Sequence, residues 1–228
     1  MGIGFSQVKV LAIANPAGGV GKTTLSHCLA VAFAEFGKKT LLIDLDSAAQ
    51  LTFRLGYENP RLTITEFISG VKITEENLVT TSERFDFIAS DSRLAANLDE
   101  GVLSRLLLKL PKDYDLVIFD IPSTLTPALG AGISAADQIL VPVSQSLHSL
   151  RGLIQLRKIT NKPITAIGIG EVNYEELTPV LDVAILRSDE VEIAASSDLS
   201  VLTLSKSSEV SESYRSAAYS VLEILGLE

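Results

Sequence analysis

The chain has 228 residues with a formal net charge of −9, and 46% of its residues are hydrophobic. That length supports a large hydrophobic core, whereas the negative charge opposes a general attraction to nucleic acid or to anionic lipid. The single cysteine, Cys28, excludes an internal disulfide. No apolar run approaches the roughly 20 residues of a membrane-spanning helix, so we expect one cytoplasmic domain over residues 1–228.

Short apolar runs rich in β-branched residues alternate with longer stretches of helical period. This alternation is typical of repeated strand–helix–strand units, and it predicts a three-layer α/β/α fold with a mostly parallel, twisted sheet of about seven to eight strands. The predicted strands are residues 8–14, 40–44, 85–89, 115–120, 138–142, 164–169, 182–186 and 201–204. The predicted helices are residues 22–36, 94–109, 147–160 and 211–225, and two short helical patterns cover 64–68 and 75–79.

A glycine-rich loop follows the first predicted strand and leads into the first predicted helix. Three glycines would let backbone amides close around phosphate oxygens, the helix N-terminus would add the positive end of its dipole, and Lys22 would add a point charge. A common form of this loop has glycine at the position of Pro16. A glycine-rich turn without chemical function is the alternative, which the strand and helix on either side disfavour. The predicted phosphate-binding residues are Gly18, Gly19, Val20, Gly21, Lys22, Thr23 and Thr24.

Two acidic motifs at strand ends would complete a site for nucleotide hydrolysis. Asp120 ends one apolar run, and Asp44 and Asp46 end another. The carboxyl ends of parallel strands share one edge of a sheet, so we expect these carboxylates to meet the glycine loop in one crevice. Asp120 and the hydroxyl of Thr23 would hold Mg²⁺ there. Alternation along a strand would place Asp44 and Asp46 on one face, close to the γ-phosphate if that strand neighbours the first.

These motifs together resemble those of the ParA/MinD family of ATPases, and the resemblance covers nearly the whole chain. The family's loop reads Lys-Gly-Gly-x-Gly-Lys-Thr, and Ala17 stands here in place of its first, signature lysine. Residues 41–52 look like the family's Asp-x-Asp-Pro-Gln-x-x-x-Thr segment, with Ser47 in place of proline. Residues 120–123 are similar to its Asp-x-Pro-Pro-Ser switch. The resemblance implies a P-loop NTPase fold, with ATP and Mg²⁺ as cofactors.

The resemblance also implies a role for each site residue. Lys22 would bind the β- and γ-phosphates, and Thr23 and Asp120 would serve Mg²⁺. Asp46 would orient or activate the attacking water, and Asp44 would support the metal shell. The predicted catalytic residues are therefore Lys22, Asp44 and Asp46.

Ala17 is a departure from the family with consequences for assembly. Two ATP-bound subunits of the family form a face-to-face dimer in which each signature lysine reaches the partner's nucleotide. Three alternatives follow here: a cation from the helix after the fifth strand replaces it, the protein dimerises weakly or hydrolyses slowly, or Ala17 was engineered to trap a state. Some carboxysome-positioning relatives, called McdA, also lack this lysine. The candidate cations are Arg151, Arg157 and Lys158, each equally well explained as part of a solvated helix face.

Different parts of the sequence bear on DNA binding and on membrane binding. ParA-type members bind DNA without sequence preference through arginines, and Arg187 matches one of them whereas Glu190 replaces the next. Arg215 and Lys206 are further candidates, although each also fits an ordinary surface charge. The C-terminal helix has almost no cationic face, so MinD-like docking on a membrane is disfavoured.

We therefore expect a cytoplasmic, nucleoid-associated ATPase of the ParA type. It would form an ATP-dependent homodimer, bind DNA non-specifically, and position a plasmid, a chromosome region or a protein cargo such as carboxysomes through a ParB-type or cargo adaptor. A nucleotide-dependent interaction module with little or no turnover is the alternative. A biosynthetic amidoligase is less favoured because we expect it to need a second catalytic domain. A metal-cluster ATPase is less favoured because it usually carries interface cysteines.

Overall fold

Eight strands form one sheet in the part of the chain that the computed structural model describes, residues 8–94, 98–173, 177 and 179–228. The strand order is β3-β4-β2-β5-β1-β6-β7-β8, and every neighbouring pair is parallel except β3 with β4. This confirms the mostly parallel sheet that the sequence predicts. The strands are β1 Lys9–Ile13, β2 Thr40–Asp44, β3 Val79–Thr80, β4 Asp86–Ile88, β5 Leu116–Asp120, β6 Gln138–Ser144, β7 Ile164–Ile169 and β8 Val180–Ile185.

Helices cover both faces of the sheet, and a short 3₁₀ helix, Glu75–Asn77, precedes β3. The α-helices of the described residues are α1 Lys22–Glu35, α2 Gln50–Arg54, α3 Ile64–Ile68, α4 Val102–Leu107, α5 Pro127–Ala135, α6 Leu147–Ile159, α7 Asp189–Ala195, α8 Val201–Leu204 and α9 Glu209–Leu225. None of these helices combines the length and apolar character that crossing a bilayer demands.

Two hydrophobic cores, one on each face, account for the continuous apolar runs of the strands. Successive residues of a strand point to opposite faces, so Leu11 and Ile13 pack with α1, α8 and α9, whereas Val10 and Ala12 pack with α3 to α6. All five residues of β2 and of β5 are buried. Burial of apolar surface on both faces, which contributes about 25 cal/mol per Å², stabilises this three-layer arrangement.

Some predicted elements differ from the structure. Residues 201–204 were predicted as a strand but form α8, because a short apolar run fits a buried helix as well as a strand. The helix predicted over 94–109 is observed only at Val102–Leu107, and residues 95–97 lie outside the described part of the chain. Four elements were not predicted: β3, α2, α5 and α7. Of these helices, α5 and α7 begin after Thr126 and Ser188, whose side chains cap them.

The order of the strands decides which carboxyl ends meet. β5 lies between β1 and β2, so Asp120 is paired in register with Ile13 on one side and with Asp44 on the other. The strand that carries Asp44 is therefore not a neighbour of β1. The carboxyl ends of β1, β5 and β2 nevertheless stand side by side at one edge of the sheet, where the glycine loop begins.

Candidate functional site

The glycine-rich loop leaves β1 and enters α1 with two residues in the left-handed backbone region. Gly19 and Gly21 have φ angles of 69° and 85°, and Gly21 immediately precedes α1. A Cβ atom at either position would meet no atom within 4 Å, so glycine is needed there for its backbone conformation rather than for space. The free N–H groups at the start of α1 face this loop, which suits the binding of an anion.

Asn15 fixes the beginning of the loop to the neighbouring strand and helix. Its Nδ2 donates to the carbonyl oxygens of Pro142 (2.9 Å) and Ser149 (3.1 Å), and its Oδ1 accepts from the N–H of Ala17 (2.9 Å). Ala17 is only 1% exposed. Its methyl group therefore belongs to the wall of the loop and offers no charge to a partner. Asn15 was not among the predicted site residues, since its only signal in the sequence is its place directly after the strand.

Lys22, the first residue of α1, is folded back over the loop. Its Nζ donates to the carbonyl oxygen of Ala17 at 2.9 Å and to Oγ of Ser123 at 2.6 Å, and the residue is 7% exposed. Burial lowers the pKa of Lys22, whereas the nearby carboxylates of Asp120 and Asp46 oppose that change. The ammonium group thus lies between the loop and the segment that follows β5.

Thr23 on α1 and Asp120 at the end of β5 bring a hydroxyl and a carboxylate into contact. Oγ1 of Thr23 donates to one carboxylate oxygen of Asp120 at 2.9 Å, and Oγ of Ser26 donates to the other, also at 2.9 Å. Burial raises the pKa of Asp120, although both hydroxyls and Lys22 oppose that rise. Among the described residues there is no group of three acidic, histidine or cysteine side chains that could hold a metal by itself. A hydroxyl and one carboxylate fit Mg²⁺, which is commonly held by one or two carboxylates together with phosphate oxygens and water.

Asp44 is wholly buried, and its carboxylate is hydrogen-bonded to residues that follow β2. One of its oxygens accepts from the N–H (3.0 Å) and the hydroxyl (2.7 Å) of Thr52, and the other accepts from the N–H of Asp46 (2.9 Å). Burial, followed by the charge of Asp120, raises its pKa. These contacts make Asp44 a group that positions α2 and the preceding turn, since three hydrogen bonds occupy its carboxylate.

Asp46 lies in the turn after β2 and not within the strand. The expectation that strand alternation places it beside Asp44 is therefore wrong, because β2 ends at Asp44. Its Oδ1 accepts from the N–H of Ala48 at 2.9 Å. Asp46 does reach the glycine loop: both line a cavity of about 420 Å³, which we call the phosphate cavity, together with Lys22, Thr23, Gln50, Arg54 and Ser123. The last three of these residues were not predicted as part of the site.

A second cavity of about 430 Å³, here called the side cavity, opens on the other side of the loop. It shares Gly19, Val20, Gly21 and Thr24 with the phosphate cavity. The rest of its lining comes from the segment between Ile185 and Glu192 and from Ser144, Ile169 and Tyr214. Arg187 belongs to this wall. Its side chain runs over Gly170, where a Cβ atom would lie 2.9 Å from Nε of the arginine.

The two other predicted DNA contacts, Arg215 and Lys206, differ in their surroundings. Arg215 forms a two-bonded ion pair with Glu35, at 2.7 and 3.2 Å, and also donates to the carbonyl oxygen of Lys206. Lys206 is exposed. The first turn of α7, which follows Arg187, carries Asp189, Glu190 and Glu192. Acidic side chains thus follow Arg187 along the chain and pair with Arg215.

The three candidate replacements for the signature lysine are separated along α6. Arg151 is exposed in the first half of the helix, next to Gly152, which packs directly against Asn15 of the loop. Arg157 donates from Nη2 to the carbonyl oxygen of Leu177 at 3.3 Å. Lys158 lines a different cavity, beyond the last turn of α6. Of the three, only Arg151 is next to a residue that touches the loop.

Comparison with known protein families agrees with this geometry. The family model described as an AAA domain matches residues 8–167. The chromosome-partitioning ATPase Soj of Thermus thermophilus is 32% identical over 183 residues, which cover 76% of this chain and 72% of that protein. Among the first curated relatives, the chain spans between 52% and 72% of the relative's length.

Solved structures with the same fold include complexes with ATP or an ATP analogue. The ATP complex of a single-residue variant of Cyanothece McdA has a TM-score of 0.80 and 25% identity, over 98% of both chains. The cobyrinic acid a,c-diamide synthase of Mycobacterium smegmatis with a bound ATP analogue and magnesium has a TM-score of 0.76 and 27% identity, over 96% of both chains.

Proposed function

Because this chain belongs to the ParA/MinD family of P-loop ATPases, we propose that it is a ParA-type switch: an ATP-dependent homodimer that binds DNA non-specifically and positions a cargo. The cargo would be a plasmid, a chromosome region or a protein assembly such as carboxysomes, selected by an adaptor of the ParB type or of another kind. The observation that carries the proposal is the convergence of Lys22, Thr23 and Asp46 on one cavity, with Asp120 hydrogen-bonded to Thr23 at its wall. The single continuous sheet supports one domain over residues 1–228.

The geometry suggests how the residues act on ATP. Lys22, which also contacts Ala17 and Ser123, binds the β- and γ-phosphates, and the loop amides of Gly18 to Thr24 surround the phosphate oxygens. Thr23 and Asp120 would hold Mg²⁺, which would neutralise charge on the phosphates. Asp46 keeps one oxygen on Ala48, so its other oxygen is available to orient the water that attacks the γ-phosphorus. The bond between the γ-phosphorus and the oxygen that bridges the β- and γ-phosphates breaks, and ADP and phosphate leave. Asp44 acts indirectly, because it fixes the N–H of Asp46.

Arg151 is the best placed of the three cations to replace the signature lysine. It is exposed, so it is available to a second subunit, and Gly152 beside it contacts the start of the loop. Arg157 is engaged with Leu177, and Lys158 lies in the last turn of α6 and lines a different cavity. In the proposed dimer Arg151 of each subunit reaches the nucleotide of the other and offers a bidentate guanidinium in place of an ammonium group.

The proposed contact with DNA is local and weak. Arg187 and Lys206 are exposed, whereas Glu35 already neutralises Arg215. The charge of −9 and the acidic first turn of α7 repel a polyanion. Binding therefore depends on dimerisation, which doubles the number of cations in contact and makes the complex sensitive to salt. Association with the nucleoid follows from this contact.

Chain length does not separate this proposal from the amidoligase alternative. The synthase from Mycobacterium smegmatis is matched over 96% of its own solved chain, so the expected need for a second catalytic domain is a weak argument against an amidoligase. An assay of ATP turnover distinguishes the two, because an amidoligase couples ATP hydrolysis to a nitrogen donor and an acceptor carboxylate. The ParA-type switch turns over ATP without either.

The experiment that tests the proposal is the mass of the protein in solution with Mg-ATP and with Mg-ADP, measured by light scattering. We expect about twice the 24.4 kDa monomer mass with ATP only. Asp46→Ala should make the ATP dimer persist, because hydrolysis no longer removes the γ-phosphate. Asp113→Ala, at an exposed carboxylate before β5, is the matched control and should behave like the original chain.

The outcomes separate the main proposal from its rival. A monomer in both nucleotides rejects the ATP-gated dimer. A dimer that forms with ATP, with no phosphate released by the original chain or by Asp46→Ala, identifies the interaction module with little or no turnover.

A further inference from the structure

Arg54 brings an uncompensated positive charge to the wall of the phosphate cavity. It is the last residue of α2, and its Nη1 donates to Oγ1 of Thr24 at 2.7 Å. Its Nε and Nη2 are covered by protein and have no hydrogen-bond partner. Among the ion pairs of the described residues, none includes Arg54. A guanidinium with five N–H donors is thus left with one hydrogen bond.

The two buried titratable groups that interact with Arg54 cannot neutralise its charge. These groups are Cys28 on α1 and Tyr214 on α9. Burial raises the pKa of Cys28 to about 12 and raises the pKa of Tyr214. Both groups are therefore neutral near pH 7. Asp46 lines the same cavity as Arg54 but forms no ion pair with it. Since a partly buried charge without a partner is costly, the site is built for an anion that comes from outside the chain.

The position of Thr24 indicates which part of a nucleotide that anion is. Lys22 and Asp46 line the phosphate cavity alone, whereas Thr24 lines both that cavity and the side cavity. A nucleotide with its terminal phosphates at Lys22 would cross from one cavity to the other at Thr24. The group at that crossing is the α-phosphate, which joins the phosphate chain to the nucleoside.

The hydrogen bond from Arg54 also orients the hydroxyl of Thr24. The oxygen of that hydroxyl accepts from Nη1, so its own proton points away from the guanidinium and is free to be donated to a phosphate oxygen. Charge and a directed donor are therefore supplied by one pair of side chains, both from the same subunit.

We propose that Arg54, together with Thr24, binds the α-phosphate of the nucleotide within its own subunit. The inference rests on the nucleotide site proposed above and adds a residue to it. The α-phosphate is present in ADP and in ATP, so Arg54 stabilises both complexes equally. Its role thereby differs from that of Arg151, which is proposed to act across the dimer on ATP.

The test is the affinity of the full chain for Mg-ADP and for the Mg²⁺ complex of a β,γ-imido analogue of ATP, measured by isothermal titration calorimetry. Arg54→Met removes the charge and keeps a similar volume, and we expect about tenfold weaker binding of both nucleotides, by the same factor. Arg54→Lys should stay within about threefold of the original chain. Arg61→Met, at an exposed arginine in the loop after α2, changes the net charge identically and should have no effect.

A second measurement covers the case in which Arg54→Met does not fold. In ³¹P spectra of bound Mg-ADP, Arg54→Lys should move the α-phosphorus resonance and leave the β-phosphorus resonance in place. Unchanged spectra, or unchanged affinities of Arg54→Met, would show that the arginine only packs against the core. A loss confined to the ATP analogue would place Arg54 at the γ-phosphate and overturn the assignment. If the original chain and Arg61→Met both fail to bind either nucleotide, the nucleotide site itself is wrong.

Discussion

The buried pair of His27 and Glu83 gives a stability change that can be calculated from the structure. His27 lies on α1, and its Nε2 is 2.5 Å from one carboxylate oxygen of Glu83. The other oxygen accepts from the N–H (3.0 Å) and the hydroxyl (2.6 Å) of Ser200 and from the hydroxyl of Thr203. The cluster thus ties the helix of the glycine loop to α8. Removal of the negative charge in Glu83→Gln should loosen this connection.

The magnitude follows from the pKa of Glu83. Burial tends to raise that pKa, but the hydrogen bonds and charge of the partners outweigh burial and lower it from 4.5 to about 2. A shift of that size corresponds to about 3 kcal/mol of stability, which is fully present above the unfolded-state pKa and is lost as the pH falls through the folded-state pKa. We therefore expect Glu83→Gln to cost about 3 kcal/mol at pH 7. At pH 3 roughly 2 kcal/mol of that difference should have disappeared, because Glu83 is already protonated in the unfolded chain while it is still mostly ionised in the folded protein.

Urea unfolding of the original chain and of Glu83→Gln, at several pH values between 7 and 3, measures this difference. Other carboxylates titrate in the same range, but they do so in both proteins and cancel in the comparison. Glu76→Gln, at an exposed glutamate of the 3₁₀ helix, is the control and should change stability by less than about 0.5 kcal/mol. A difference between the original chain and Glu83→Gln that stays constant from pH 7 to pH 3 would refute the reasoning.

Three further substitutions test the construction of the site. Gly152→Ala should weaken ADP binding and cost about 1–3 kcal/mol of stability by denaturant titration, because its Cβ would lie 1.9 Å from a loop side chain. Gly130→Ala on α5, where nothing lies within 4 Å of the added Cβ, should cost nothing. Equal effects of the two substitutions would contradict the argument. Thr52→Val should cost about 2 kcal/mol in the same titration and slow ATP turnover, since it removes a hydroxyl that donates to the carboxylate ending β2; unchanged stability would mean that this bond is dispensable. Arg151→Ala should reduce ATP-dependent dimerisation in light scattering while the affinity for ADP stays the same. Lys158→Ala should change neither dimerisation nor the affinity for ADP. If instead Lys158→Ala reduces dimerisation and Arg151→Ala does not, Lys158 is the replacement for the signature lysine.

The sequence predicted those features of the site that depend on neighbours in the chain. Gly19, Gly21 and Lys22 were assigned from one continuous segment, because a strand, a loop and a helix in succession already define that geometry. Asp120 was assigned from an apolar strand with an acid at its end, because parallel strands share one carboxyl edge. The roles of these residues remain predictions, while their arrangement at one edge is observed.

Features that depend on the order of the strands or the direction of a helix could not be predicted in this way. The insertion of β5 between β1 and β2 is not encoded in any local pattern, and it makes Asp44 a neighbour of Asp120 rather than of the loop. Arg54 reaches Thr24 only because α2 runs back toward α1. The short run 201–204 has too few residues for its period to distinguish a helix from a strand.

The hydrogen bonds of Lys22 connect nucleotide binding to the segment after β5. Nζ is shared between the carbonyl oxygen of Ala17 and the hydroxyl of Ser123, which follows β5 by three residues. The ammonium group has a third N–H donor, which a phosphate in the cavity can take without displacing either partner. Asp120, at the end of the same strand, is held by Thr23 and Ser26. It is also paired in register with Asp44, whose oxygens fix Asp46 and Thr52. Because β5 lies in the middle, we expect a phosphate bound by Lys22 to affect the segments on both sides of β5 at this edge of the sheet.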